Sequence, residues 1–266
     1  MSGQPEVPEP AGEDIMNSNG YTLRHAVAME VVKARSLPAI RWTLIGGMLL
    51  TVALGVVAGA NTRNPHSDPT SNVLSGILLG QLITAVLGTL AITGESGARQ
   101  LAATFCAIPR RGLVLTAKAL VWGLTFLVSG EAAVIAAFFI GTAVLHHGVP
   151  HPAFGSDPAV TRAVLTSGAY LALTGLIGLG VGALIGHSGA AIAVAAGGLF
   201  AAPLVFAAAG RGFARVMPEL IAGNSLAAVK PVPGFTWSPW LELAIVALYP
   251  AVLLAAGGWL LARRDV

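Results

Sequence analysis

The amino-acid sequence predicts an all-α membrane protein with six transmembrane helices, an N-terminal amphipathic interfacial helix and both termini cytoplasmic. Three observations carry this prediction. Six charge-poor apolar runs are each long enough to cross a bilayer, because a helix rising about 1.5 Å per residue needs about 20 residues to traverse the hydrocarbon. Of 266 residues, 55% are hydrophobic and 10% charged, with a mean hydropathy of +0.77; soluble domains carry about 25% charged residues. The Lys and Arg residues also fall unevenly on the two sides that six crossings create, and positive charge is retained on the cytoplasmic side.

Taken in chain order, residues 1–20 are Pro-rich and acidic, with neither a basic start nor an apolar core. They do not form a signal peptide and are expected to be a disordered cytoplasmic tail. Residues 21–37 place Leu23, Val27, Val31 and, one residue off the row, Ala34 and Leu37 on one helical face. Arg24, Glu30, Lys33 and Arg35 lie elsewhere on the helix, and Pro38 stops it. Such a helix lies in the cytoplasmic interface, as an anchor or as a contact for a partner.

The spans follow at about 42–60, 73–93, 119–145, 163–185, 190–210 and 241–261. Gln81 interrupts the second, Glu131 lies in the third and Pro203 in the fifth. In lipid each backbone donor needs a partner within its own segment or within a closed barrel. The runs lack strand alternation, so helices are predicted, in one domain covering 21–266. With both termini inside, Arg24, Lys33, Arg35, Arg41, Arg99, Arg110, Arg111, Lys118, Arg263 and Arg264 are cytoplasmic. Arg63, Arg162, Arg211, Arg215 and Lys230 are outside. The formal charge of +3 follows from these loops and is no nucleic-acid signal. The lone Cys106 excludes an internal disulfide.

Inside the spans, Gly76, Gly80, Thr84 and Gly88 recur every fourth residue, as do Gly178, Gly182 and Gly186, and Gly55 pairs with Gly59. Small residues at that spacing let helices approach closely and predict a tight bundle. Glu131 near mid-membrane is costly unless paired, hydrated or protonated. It faces either a translocation path or a neighbouring helix, and Gln81 carries the same two readings. His146, His147 and His151 cluster outside, where three imidazoles could hold Zn or Cu. The prolines and glycines around them favour a flexible loop and no metal. The outer segment 211–240 mixes prolines with Phe235, Trp237 and Trp240, so part of it is expected to re-enter or lie flat at the outer leaflet.

The most distinctive connection runs from Thr93 to Lys118, TGESGARQLAATFCAIPRRGLVLTAK. Ala98 to Ala107 suit a short helix, Pro109 breaks it, and Arg110, Arg111 and Lys118 give a basic surface at the membrane. The same charges also serve plain topology. Gly94, Glu95, Ser96 and Gly97 have the form of a rhomboid-protease nucleophile segment. Spans five and six hold no His to act as base, and proteolysis is a remote alternative.

The runs LRHAVAMEVVKARSLPAIRWTL, ITGESGARQLAATFCAIPRR and WLLARRDV together resemble the actinobacterial type-2 permeases of ATP-binding-cassette transporters. The resemblance spans Leu23 to the C-terminus. It matches Glu30 to a glutamate in an ion-pairing elbow helix, Thr93, Gly94 and Glu95 to the opening of the first inside loop, and Pro109, Arg110 and Arg111 to its end. Ser96, Gly97, Ala98 and Arg99 depart from the family pattern.

What the resemblance implies is a permease subunit in a bacterial cell membrane, paired with itself or a sister chain. Its inside loop would couple to a separate nucleotide-binding ATPase through Glu95, Arg99, Arg110 and Arg111. Cargo would be a hydrophobic or amphipathic antibiotic, lipid or peptide, moved outward. The chain contains no Gly-x-x-x-x-Gly-Lys-Ser/Thr phosphate loop, so ATP and Mg would be bound by the partner and no cofactor by this chain. A non-transporting membrane sensor or scaffold is the alternative.

Overall fold

The computed structural model describes residues 23–36, 38–64, 66–97, 111–209, 216–229 and 237–263. Every regular element among them is helical. Six helices are long and apolar enough to cross a membrane, which makes this a multi-pass membrane protein. The expected tail 1–20 and the expected helix Ala98 to Ala107 lie outside the described residues.

Helix α1 (Leu23–Ser36) leads into α2 (Pro38–Asn61), the first span. Pro38 opens α2 because a first-turn residue has no intrahelical use for its N–H. A short helix α3 (Pro69–Leu74) precedes α4 (Ile77–Gly97). Asp68 caps α3 by accepting the Ser71 N–H at 3.1 Å, with Pro69 next in line. The third span, α5 (Arg111–Ala143), begins well before residue 119. At 33 residues it is about 50 Å long, against about 30 Å of hydrocarbon, so it projects beyond the bilayer core.

The fourth span is α6 (Pro158–Ile185), capped by Asp157, whose carboxylate accepts the Ala159 N–H at 2.8 Å. Gly186 ends it in the left-handed conformation, φ 77°, with its N–H on the Gly182 carbonyl at 2.9 Å. The sequence row placed Gly186 among the packing glycines, yet it is the terminator. The fifth span is α7 (Ser188–Ala196), a π-turn (Gly197–Ala201) and α8 (Ala202–Ala209). Pro203 would clash with the carbonyl four residues back, and the wider turn just before it relieves that conflict. A short helix α9 (Pro218–Ile221) with a second π-turn (Ala222–Leu226) precedes the last span, α10 (Pro239–Arg263).

Alternating span directions put α1, the end of α4, the start of α5, Gly186 and the end of α10 at one end of the bundle. The other end holds α3, the 144–157 loop and the segment 216–229. α4 and α6 share the most extensive helix contact and form the centre, with α5 and α10 also packed on α6. A Cβ on Gly88 would strike the Gly175 carbonyl, and one on Gly178 the Ala85 carbonyl, so only glycine permits this approach. Gly55 and Gly59 of α2 lie equally close to the Val73 and Gly141 backbones. The 144–157 loop, expected to be flexible, is fastened by buried Val149 and by Phe154, whose ring lies 6.0 Å from Phe138 and 5.8 Å from Phe139.

Candidate functional site

At the α1 end the decisive residue is Lys118, two turns into α5. An ammonium so close to the apolar stretch of a span is costly without a partner. α1 supplies one: Lys118 Nζ donates to Glu30 Oε2 at 2.7 Å, and both residues are only 1% exposed. Lys33, one turn along α1, lies 3.5 Å from the other Glu30 oxygen. This corrects two sequence expectations. Lys118 is not part of a basic surface, and Glu30, though off the apolar stripe of α1, is on its buried face. Ala26 and Glu30 form the buried row, while Leu23 is exposed and Val27 and Val31 are half-buried. Pairing Lys118 outweighs burying the aliphatic stripe, and small Ala26 lets α1 approach α5.

Of the other residues expected at this end, Arg24 and Arg35 are exposed on α1. Glu95 lies in the last turns of α4 and Arg111 is the first residue of α5. Arg99 and Arg110 lie outside the described residues. The helix ends thus place Glu95 and Arg111 at opposite margins of one connection, and Arg111 two turns from the Lys118–Glu30 pair.

In the bundle centre, Gln81 is fully buried between α4 and α6, where the Tyr170 hydroxyl donates to its Oε1. One turn along, the Thr84 and Thr174 hydroxyls share a hydrogen bond of 2.9 Å. These bonds fasten the glycine-lined contact. Glu131 of α5 is half-buried, its carboxylate against Gly168 of α6, where a Cβ would collide with it.

The far end carries a polar cluster that the sequence reading did not assemble. Arg162, half-buried on α6, donates to the carbonyls of Ser225 at 3.2 Å, Ala228 at 2.7 Å and Val229 at 3.4 Å. Asp68, which caps α3, also accepts the Val229 N–H on its second oxygen at 2.7 Å. Thr166 adds a bond to the Leu226 carbonyl at 3.0 Å. Glu242, 1% exposed in the first turn of α10, is the further acid within electrostatic reach of Arg162. Ile221, Ala222 and Leu226 are fully buried in the core, so the segment 216–229 enters the bundle end. Burial pushes the Glu219 carboxyl in that segment above its ordinary range. The signals were present in the Asp-Pro pairs 68–69 and 157–158 and in an Arg and a Glu just inside two spans at the same end.

Among the described residues no three His, Cys, Asp or Glu side chains converge as a metal site, and His146, His147 and His151 are exposed. At the α1 end the arrangement is a buried ion pair that fastens α1 to the start of α5. Compared with known proteins, the chain matches no family model and no curated relative.

Proposed function

We propose that this chain is the membrane-spanning permease subunit of an ATP-binding-cassette exporter, resident in a bacterial cell membrane with both termini cytoplasmic. The observation that carries the reading is the Glu30–Lys118 pair. It joins α1 to the stretch of α5 that directly follows the 98–110 connection. A force delivered to that connection by an ATPase would enter α5 at Arg111 and reach α1 through the pair, so loop, joint and span would move as one lever. Six spans returning both termini to one side, the ten-to-five distribution of Lys and Arg, and the order of the matched segments support the same assignment.

The crevice where α2, α4, α5 and α6 meet, lined by Thr51, Gly80 and Thr84, holds about 20 Å³, which is room for one water. This crevice is too small to carry a hydrophobic or amphipathic cargo, and the proposed route runs between two permease subunits.

Co-reconstitution with the ATPase subunit in proteoliposomes tests the proposal. The chain alone should hydrolyse no ATP, the complex should couple hydrolysis to outward movement of cargo, and Glu95→Ala or Arg110→Ala should weaken assembly or uncouple the two. A sensor or scaffold would bind its partner without moving anything, and a chain that hydrolysed ATP unaided would overturn the assignment.

A further inference from the structure

Between α1 and α5, beside the Glu30–Lys118 joint, lies an open groove of about 460 Å³. Val27, Val31 and Ala34 of α1 form one wall and Leu120 and Leu124 of α5 the other, and among the described residues Arg35 is the only charged one lining it. Leu120 is 52% and Leu124 63% exposed, so the α5 wall is uncovered. Its depth follows from the charge pattern: α5 is about 20 Å longer than the hydrocarbon is thick, and its uncharged run begins after Lys118, so Leu120 and Leu124 belong to the stretch that enters the acyl region. An uncovered aliphatic slot at that depth takes acyl chains, and a guanidinium at its edge takes an anionic oxygen.

We propose that this groove binds one anionic phospholipid of the leaflet at the α1 end, with an acyl chain along Val31 and Leu124 and the phosphate on Arg35. Charge selects among lipids. Lys33 already serves Glu30, whereas exposed Arg35 lines the groove itself, with exposed Arg41 one turn into α2. The apolar stripe that the buried joint leaves over on α1 thereby finds its cover. The inference needs only the membrane reading and stands whether or not the chain transports anything.

The full-length protein in mild detergent, titrated with phosphatidylglycerol or with phosphatidylcholine of the same acyl length, tests it by native mass spectrometry. Phosphatidylglycerol should be retained about fivefold more than phosphatidylcholine, the factor that one basic residue at an anionic lipid surface supplies. Arg35→Gln should abolish that preference, and Leu124→Trp should fill the slot and lower retention of both lipids. Leu248→Trp, on the exposed face of α10, should change neither. A photoreactive residue at Val31 should capture lipid in native membranes. Equal retention of the two lipids, unchanged retention in both groove variants, or capture of residues 1–20 or of another protein from Val31 would each overturn the proposal. A photoreactive Val31 retains the original groove charge, so its readout does not depend on either groove variant folding.

Discussion

At the α1 end a buried cation is matched by a side-chain carboxylate, Lys118 by Glu30, whereas at the far end Arg162 is matched chiefly by backbone carbonyls of the segment 216–229. The first arrangement joins two helices whose own backbones are already satisfied. The second completes a stretch of chain whose turn leaves carbonyls without helical partners. The two ends should therefore respond differently when the cation and its acid are replaced together. An ion pair can be exchanged for apolar side chains of similar volume at little cost. A backbone clamp has no such substitute, because the orphaned carbonyls remain.

The largest effect is expected from breaking the joint on one side only. Lys118→Met leaves buried Glu30 with only the partly exposed Lys33, 3.5 Å away, and should cost about 3–5 kcal/mol, while Lys118→Met with Glu30→Leu should recover most of it. Denaturant unfolding in mixed micelles measures both, and a double variant as unstable as the single one would remove the distinction between the ends. At the other end, Arg162→Met should cost about 2–3 kcal/mol and raise hydrogen exchange across 222–228. Adding Glu242→Leu should not restore protection there; restoration would mean that Glu242, and not the carbonyls, is the principal partner.

A smaller effect is expected in the shared centre. Gly88→Ala drives a methyl into the Gly175 carbonyl and should cost about 1–3 kcal/mol. Gly46→Ala on the exposed face of α2, with nothing within 4 Å, should stay within about 0.5 kcal/mol. Equal melting of the two variants would show that the α4–α6 contact is looser than described.

The smallest effect is a pH dependence at the far end. Because the folded protein holds the Glu219 carboxyl above its ordinary value, its contribution to stability is full in acid and is lost as pH rises through that raised value. Glu219→Gln should melt like the parent in acid and slightly above it near neutrality. A difference of the opposite sign would mean that the ionised carboxylate is the favoured form.

The spans were legible because their requirement is a length of apolar chain, and nothing else in the sequence imitates it. Burial was not. All six spans are similarly apolar, yet α6 is buried over 72% of its most apolar window and α10 over 17%. Glycine spacing carried that information: the rows on α4 and α6 mark the centre. The turns of α5 that precede residue 119 were not legible because a charge conventionally closes an apolar run, and Lys118 is paired with Glu30 from 88 residues away. For the same reason the burial of Ala26 and Glu30, off the apolar stripe of α1, was not legible. Arg162 was counted only for topology since its partners are backbone groups 63 to 67 residues distant, which leave no trace in side-chain pattern.

As a permease subunit the chain would receive work from a separate ATPase at its α1 end. Isolating the tagged chain from its native membrane, with a photoreactive residue in place of Arg110, tests it most directly. The predicted result is covalent capture of a subunit that contains a phosphate loop, and ATP turnover in the isolate that disappears when residues 95–111 are replaced by a neutral linker. Capture of no ATP-hydrolysing protein, or turnover that persists after the loop is replaced, would contradict it.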